Sequence, residues 1–373
     1  MSGAEAVRLV ATRAACAEAL EAIERAPQLA IDTEFMRVDT YYPRFCLLQI
    51  ATPDGAWCID PLADLDLPAL GAWLAATRQP KLMHAARQDL EVLGPLVTGT
   101  PQPLVDTQIA AALLGLSDQI AYAAVVEQYC GVVIDKSQTR TDWSQRPLSA
   151  EQLRYAALDV IYLPPVWEAM ANELETQGKM SWLEEECARL RNGRDDAVPA
   201  WQRVKGLTQL EGRALAVAAA LAEWREDLAR SADRPRNWIL RDDLLLLLAR
   251  RQPQRIAELA ELQGLPPATV RRHGERLLAI CSDPALSSPA LPPRAPRLTP
   301  EGNRLLAECQ QLVRERAAAA KVAPTLLAAR RDLEQLFWGE TPPRFASGWR
   351  AIVVGEELLA LRGRHRREDL CQP

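Results

Sequence analysis

The sequence predicts an α/β domain with one mixed central sheet, followed by two all-α helical bundles. Short apolar runs with strand spacing alternate with helical runs up to about residue 106, the pattern of a sheet covered by helices. Strand patterning then stops, and the rest of the chain reads as helix broken by turns and Pro-rich segments. The charge divides as well: residues 1–198 carry 28 acidic and 16 basic side chains, net −12, whereas 199–373 carry 21 and 28, net +7. A half able to hold cations joined to a half able to attract phosphates implies separate tasks.

The 373 residues exceed one ordinary core and, with 48% hydrophobic content, can build two or three. No apolar stretch reaches the roughly 20 residues that span a bilayer. Residues 1–20 read as an acidic and apolar helix without a signal-peptide layout, so a cytoplasmic protein with no membrane partner is expected. The eight cysteines include no CxxC pair and sit mostly in apolar runs, which predicts free, partly buried thiols. The three histidines, His84, His273 and His365, are widely separated, so any metal would be held by oxygen ligands, a set that favours Mg²⁺ or Mn²⁺ over zinc.

Along the chain, strands are expected over Gln28–Met36, Phe45–Thr52 and Ala56–Asp60, with turns at Tyr42-Pro43 and Thr52-Pro53-Asp54-Gly55. A helix over Leu67–Ala76 leads to a short strand at Lys81–His84 and a helix from about Arg87. Helical spacing then covers Asp106–Leu114, Ile120–Tyr129 and Ser149–Gln177, the last with a capped start in Ser149-Ala150-Glu151-Gln152. Arg191–Pro199 reads as a linker. Residues 200–282 are helical, with breaks at Ala232–Asn237, Gln252-Pro253 and Gly264–Pro267. Asp283–Pro300 is a Pro- and Ser-rich linker, and residues 301–362 repeat the helical character.

The chemistry concentrates in three short strings. Asp32 and Glu34 interrupt an apolar run, Leu29-Ala30-Ile31 before and Phe35-Met36 after, and strand alternation puts both carboxylates on one face. Such a pair is ordinary on a solvated edge strand, but among apolar neighbours it calls for a cation. Asp89 lies near the start of a helix that follows a strand, where it suits either the helix dipole or a site at the sheet edge. Tyr155 and Asp159 stand at i and i+4 on one helix face. Together, four carboxylates and a phenol from three separated elements make a set able to hold two metal ions about 3.5–4 Å apart beside a positioned water.

Asp32-x-Glu34, Asp89 and Tyr155-xxx-Asp159 resemble the three exonuclease motifs of the DEDD superfamily in its tyrosine-containing branch. The strings Phe35-Met36-Arg37, Thr40-Tyr41-Tyr42-Pro43, Leu48-Gln49-Ile50-Ala51 and Asp142-Trp143-Ser144-Gln145-Arg146-Pro147-Leu148 narrow the resemblance to the ribonuclease D family over residues 28–175. Residues 203–282 resemble the helicase-and-RNase-D C-terminal (HRDC) domain through Leu210, Glu211, Ala214, Leu215, Leu221, Trp224, Arg225, Ala229, Pro235 and Ile239-Leu240-Arg241-Asp242-Asp243-Leu244. A second, divergent copy is expected over 300–365. The implied architecture is a ribonuclease H-like (DnaQ-like) exonuclease domain over 1–198, a first HRDC domain over 199–283, a linker over 284–299, and a second HRDC-like domain with a basic tail over 300–373.

The resemblance further implies a 3′–5′ exoribonuclease that trims structured RNA, tRNA precursors in particular, and releases nucleoside 5′-monophosphates. Asp32, Glu34, Asp89 and Asp159 would hold two Mg²⁺ or Mn²⁺ ions, and Tyr155 would orient the attacking water. Phe35 and Met36 are candidates to stack on the terminal base or to pack in the core. Gln49, His84 and Arg87 are candidates for phosphate or 3′-end contacts, or for structural hydrogen bonds. Lys136, Arg140 and Arg146 are candidates for the rim of the substrate strand, with Trp143 packing beneath. Basic residues of the helical domains, such as Arg250, Arg251, Arg271 and Arg272, suit RNA tethering as well as a solvated face. The expected partner is RNA with a single-stranded 3′ end, bound by a monomer. A DNA exonuclease and a non-catalytic RNA-binding scaffold are the alternatives; the five intact motif positions argue against the second.

Overall fold

The structure is a computed structural model that describes residues 7–97, 99, 101–135, 141–191, 198–289, 297–338 and 343–372. Lys136 and Arg140 lie outside the described residues, as do the middle of the first expected linker and part of the second. The chain divides into two units, one formed by Met1–Met36, Phe45–Gly193 and Ala295–Pro373, the other by Arg37–Arg44 and Arg194–Arg294.

The first unit is built on a six-stranded mixed sheet. Its strands are β1 (Val7–Val10), β2 (Leu29–Met36), β3 (Arg44–Thr52), β4 (Gly55–Ile59), β5 (Lys81–Met83) and β6 (Leu104–Asp106), in the order β1-β4-β3-β2-β5-β6. β3 and β4 form an antiparallel hairpin closed at Gly55, whose φ of 130° only glycine adopts readily, while β1–β4, β2–β5 and β5–β6 pair in parallel. The helices are α1 (Arg13–Glu24), α2 (Leu67–Ala76), α3 (Arg87–Leu93), α4 (Thr107–Leu113), α5 (Tyr122–Cys130), α6 (Ala150–Ile161), α7 (Leu163–Thr176) and α8 (Met180–Arg191).

Alternation along β2 decides what the sheet offers on each side. Leu29 and Ile31 pack with Leu48, Ile50, Ile59, Leu70 and Leu74 on one face. Ala30 packs on the other with Ala51, Ala56, Leu82, Ala157, Val160 and Leu163. Asp32 and Glu34 share the Ala30 face, the face that α6 covers.

Three local readings differ from expectation. Residues 1–20 are not one helix: Val7–Val10 is a strand against β4, and α1 begins after Thr12, whose hydroxyl accepts from Ala15 N at 3.2 Å. A four-residue strand carries too little alternation to be read without its partner. β6 has only three residues and escapes for the same reason. Ser149–Gln177 divides at Tyr162 because Pro164 and Pro165 open a new helix, and proline is tolerated in a first turn but not mid-helix.

The second unit is the helical bundle α9 (Gly212–Ser231), α10 (Arg236–Ile239), α11 (Asp242–Arg251), α12 (Ile256–Ala260) and α13 (Pro267–Ser282). Its core gathers Leu215, Leu221, Leu245, Leu248, Leu259 and Leu277. The breaks fall where the turn residues placed them: Asp233 at φ 46°, Gln252 at φ 46° before Pro253, and Gly264 at φ 88°.

Residues 297–372 form no core apart from the first unit. β7 (Arg297–Leu298), α14 (Pro300–Ala320), α15 (Pro324–Leu327), α16 (Arg330–Trp338), the single helical turn Arg344–Ala346, α17 (Gly348–Arg350), α18 (Glu356–Gly363), α19 (Arg367–Leu370) and β8 (Cys371–Gln372) contribute Leu305, Cys309, Phe337, Phe345 and Leu358 to one apolar cluster with Leu113, Val126, Met170 and Leu183. Trp182 and Trp349 stack across it with centroids 4.6 Å apart.

At the centre of that packing Arg350 and Glu186, 0% and 2% exposed, form a buried ion pair. Trp349 Nε1 donates to Glu186 at 3.0 Å, Arg344 at 2.6 Å, and Arg350 Nε donates to Leu326 O at 2.8 Å. Burial pushes the Glu186 carboxyl up, but the Arg350 hydrogen bonds and charge outweigh it and bring the carboxyl down to about 2. Removing one partner of a buried pair leaves an uncompensated charge. Glu186→Ala is therefore expected to cost roughly 3–5 kcal/mol of stability, read as a lower urea midpoint at unchanged slope.

Candidate active site

The site grows from the junction of β2, α3 and α6. Asp32 and Glu34 project from β2 toward α6, and Asp159 lies on α6 one turn beyond Tyr155. One carboxylate oxygen from each of Asp32, Glu34 and Asp159 lies within 4.8 Å of the others. Asp89, in the first turn of α3, stands outside that trio; its Oδ1 accepts from the Thr33 hydroxyl at 2.6 Å. The trio lines a cavity of about 230 Å³ together with Ile31, Thr33, His84, Tyr122, Tyr155 and Leu163.

α6 reaches this position through the capping box read from the sequence: Gln152 N donates to Ser149 Oγ at 3.1 Å and Ser149 N to Gln152 Oε1 at 2.9 Å. Ala156, Ala157 and Val160 let the helix approach the sheet closely. The turn before α3 is held by Asp106, whose buried carboxylate accepts from Ala85 N, Ala86 N, Gln108 N and Ile109 N at 2.8–3.4 Å.

The carboxylates shift one another. Loss of solvent, then the charges of Asp89, Asp159 and Glu34, push Asp32 well above the usual range. Glu34 rises to about 9 by desolvation, Asp159 and Asp89. Asp159 rises to about 7 by desolvation, held back by a hydrogen bond from Tyr155. Desolvation raises Asp89 to about 6, with the Thr33 hydroxyl opposing. An all-oxygen donor set that resists ionisation without a cation fits a hard divalent metal.

The remaining expected residues fare differently. His84 lines the cavity, with Nε2 2.9 Å from Ile120 O and Nδ1 2.9 Å from Thr107 Oγ1; burial lowers its pKa, so the neutral tautomer donates from Nε2 to the carbonyl. Arg146, expected at the rim of the substrate strand, has its guanidinium engaged within the protein. It pairs with buried Asp60 at 2.6 and 2.7 Å and donates to Cys46 O, Trp143 O and Gln145 O, because a buried carboxylate needs a forked partner more than a rim needs a cation. Gln49 is fully buried within the sheet and Arg87 is exposed on α3; neither lines the cavity. Met36 packs half-buried against Cys46, Leu47, Cys58 and Trp143, and Phe35 is half-buried beside it.

Sequence reasoning missed Thr33 and Tyr122. Thr33 sits between the two acids of the first motif, on the opposite strand face, and that position was its available signal. Tyr122, whose hydroxyl donates to Leu158 O at 3.1 Å, lies on α5 with no local motif to mark it.

A family profile described as 3′-5′ exonuclease matches residues 7–175, and one described as HRDC domain matches 214–281. Ribonuclease D of Granulibacter bethesdensis is 37% identical over 91% of this chain and 88% of that protein, and ribonuclease D of Escherichia coli is 36% identical over 94% and 97%. The chain belongs to the ribonuclease D family. Like other ribonuclease D proteins it is a 3′–5′ exoribonuclease, with a ribonuclease H-like exonuclease domain and an HRDC domain. The crystal structure of Escherichia coli RNase D, described as an exoribonuclease involved in structured RNA processing, superposes with a TM-score of 0.85 at 34% identity, covering 96% of this chain and 99% of that one. The catalytic core of RRP6 from Trypanosoma brucei superposes with a TM-score of 0.60 at 24% identity over 74% of this chain, a likeness of fold. The HRDC match covers the first of the two expected helical bundles, and residues 300–373 lie outside it.

The raised carboxyl groups set the sign of a pH effect. Between the unfolded value near 4 and the folded values of about 6, 7 and 9 for Asp89, Asp159 and Glu34, the native state keeps protons that the unfolded state has released. Stability of the metal-free protein is therefore expected to fall as pH rises from about 5 to about 9. Asp32→Asn is expected to raise the melting temperature in EDTA at pH 8, and scanning calorimetry across that range checks both.

Proposed function

We propose that the chain trims the 3′ ends of structured RNAs, tRNA precursors among them, one nucleotide at a time, by hydrolysis with two divalent ions. The observation that carries this reading is the trio Asp32, Glu34 and Asp159 on the wall of one cavity, with Tyr155 on the same wall and hydrogen-bonded to Asp159; Asp89 is tied to Thr33 between the two acids of β2. Asp32, Glu34, Asp89 and Asp159 would hold Mg²⁺ or Mn²⁺, which when bound supplies a more acidic water and stabilises charge on the leaving 3′ oxygen. Tyr155 donates a hydrogen bond to Asp159, which leaves its oxygen lone pairs to accept from the attacking water. A phenol with an ordinary pKa of about 10 acts there as a guide rather than a base. The water oxygen forms the new bond to phosphorus as the bond to the 3′ oxygen breaks, so a nucleoside 5′-monophosphate leaves and the shortened strand keeps a 3′ hydroxyl.

Other parts of the reading rest on position and likeness. Phe35 and Met36 end the strand that carries Asp32 and Glu34; Met36 packs in the core, and Phe35 and Met36 are placed to reach the terminal base as well. Residues 300–365 are assigned as a divergent second HRDC-like domain on the likeness of Leu298-Thr299-Pro300-Glu301 to Leu207-Thr208-Gln209-Leu210-Glu211. The relative's described role in structured RNA processing supports the substrate class. No described helix is long and apolar enough to cross a membrane, and the eight cysteines form no disulfide among the described residues, as suits a cytoplasmic monomer acting on RNA.

The test is release of labelled nucleotide from a tRNA carrying a short 3′ trailer, with Mg²⁺, Mn²⁺ or EDTA. Release is expected only with metal, absent in Asp32→Ala and roughly 10²-fold slower in Tyr155→Phe with little change in KM. Equal release from a DNA strand of the same sequence would move the assignment to a DNA exonuclease.

A further inference from the structure

In the second unit, aromatic rings and guanidinium groups meet at the turn between α9 and α10. Residues 37–44, which join β2 to β3, group with this helical unit. Their anchor is Tyr41. Its phenol donates to Glu226 Oε1 and accepts from Arg230 Nε and Arg236 Nη2, each at 3.0 Å, with the Arg236 guanidinium 4.7 Å from the ring centre. The backbone N–H groups of Tyr41 and Tyr42 both donate to Asp233 Oδ1 at 3.0 Å.

The neighbours of that clasp are left in solvent. Tyr42 is 46% exposed and Trp238 is 61% exposed. The Arg234 guanidinium lies 5.8 Å from the Trp238 ring and donates to Asp39 O at 3.4 Å, so the turn that carries Trp238 also holds the segment that carries Tyr42. Core packing explains neither ring, and a fixed backbone keeps both outward. Residues 230–241 carry four arginines against one aspartate. Aromatic faces beside guanidinium groups are the chemistry that binds single-stranded nucleic acid, through base stacking and phosphate attraction.

We propose that Tyr42 and Trp238, with Arg234, form a stacking subsite for the single-stranded part of the RNA substrate. The subsite rests on the reading of the chain as an enzyme of RNA. It shares no residue with the carboxylate set, and it needs no sequence preference because every base has a stacking face.

The experiment is fluorescence anisotropy of a 5′-labelled 12-nucleotide oligoadenylate with the full-length protein in EDTA. Trp238→Ala and Tyr42→Ala are each expected to weaken binding by about 5- to 100-fold with unchanged melting temperatures. Trp238→Phe is expected to stay near native affinity. Ile352→Ala, which removes a still more exposed apolar side chain from the other unit, is expected to bind as native. Native affinity in both alanine variants would overturn the subsite and leave the rings as a protein-docking surface. Because binding in EDTA requires no cleavage, this result is independent of the catalytic reading, which fails instead if the native protein releases no nucleotide with either metal.

Discussion

Mutual repulsion among desolvated carboxylates is the constraint that organises the catalytic unit. Asp32, Glu34, Asp89 and Asp159 come from three elements, and each is pushed up by lost solvent and by at least one of the others or must be held down by a hydroxyl. Left to themselves such groups would move apart or stay protonated. The surrounding fold holds them together, and a bound divalent cation would convert that tension into affinity.

The frame that resists the repulsion is apolar on both sides of the sheet and polar at its turns. β2 enters the site through Leu29, Ala30 and Ile31, all essentially without solvent contact. Asp106 gathers two backbone N–H groups at the turn that launches α3 and two more at the start of α4, and the Arg146–Asp60 pair ties the segment before α6 to β3 and β4. These contacts give each carboxylate a fixed origin. Arg146 thereby supports the helix that carries Asp159.

The two helical stretches of the C-terminal half have the same amphipathic character but different partners. Residues 200–282 enclose a core of their own, whereas residues 297–372 share one with α4, α5, α7 and α8 and are locked there by Arg350 on Glu186. A buried ion pair has little tolerance for displacement, since separating it strands two charges away from water. The catalytic unit is therefore closed by the end of the chain.

Much of the site was legible in the amino-acid order. Strand alternation put Asp32 and Glu34 on one face, helical spacing aligned Tyr155 with Asp159, and Ser149 with Gln152 announced the start of their helix, because these are local regularities that a short string carries whole. Turn residues placed the breaks of the helical bundle at Asp233, Gln252 and Gly264 for the same reason. What depends on a distant partner was not legible. Val7–Val10 and Leu104–Asp106 are strands only because β4 and β5 stand beside them. Arg146 has its role only because Asp60 is buried opposite, and Thr33 reaches Asp89 across 56 positions of chain. The sequence by itself determined which groups could do chemistry and on which face of which element. Tertiary structure decided which of them meet, because burial, pairing and desolvation belong to neighbours that only folding supplies.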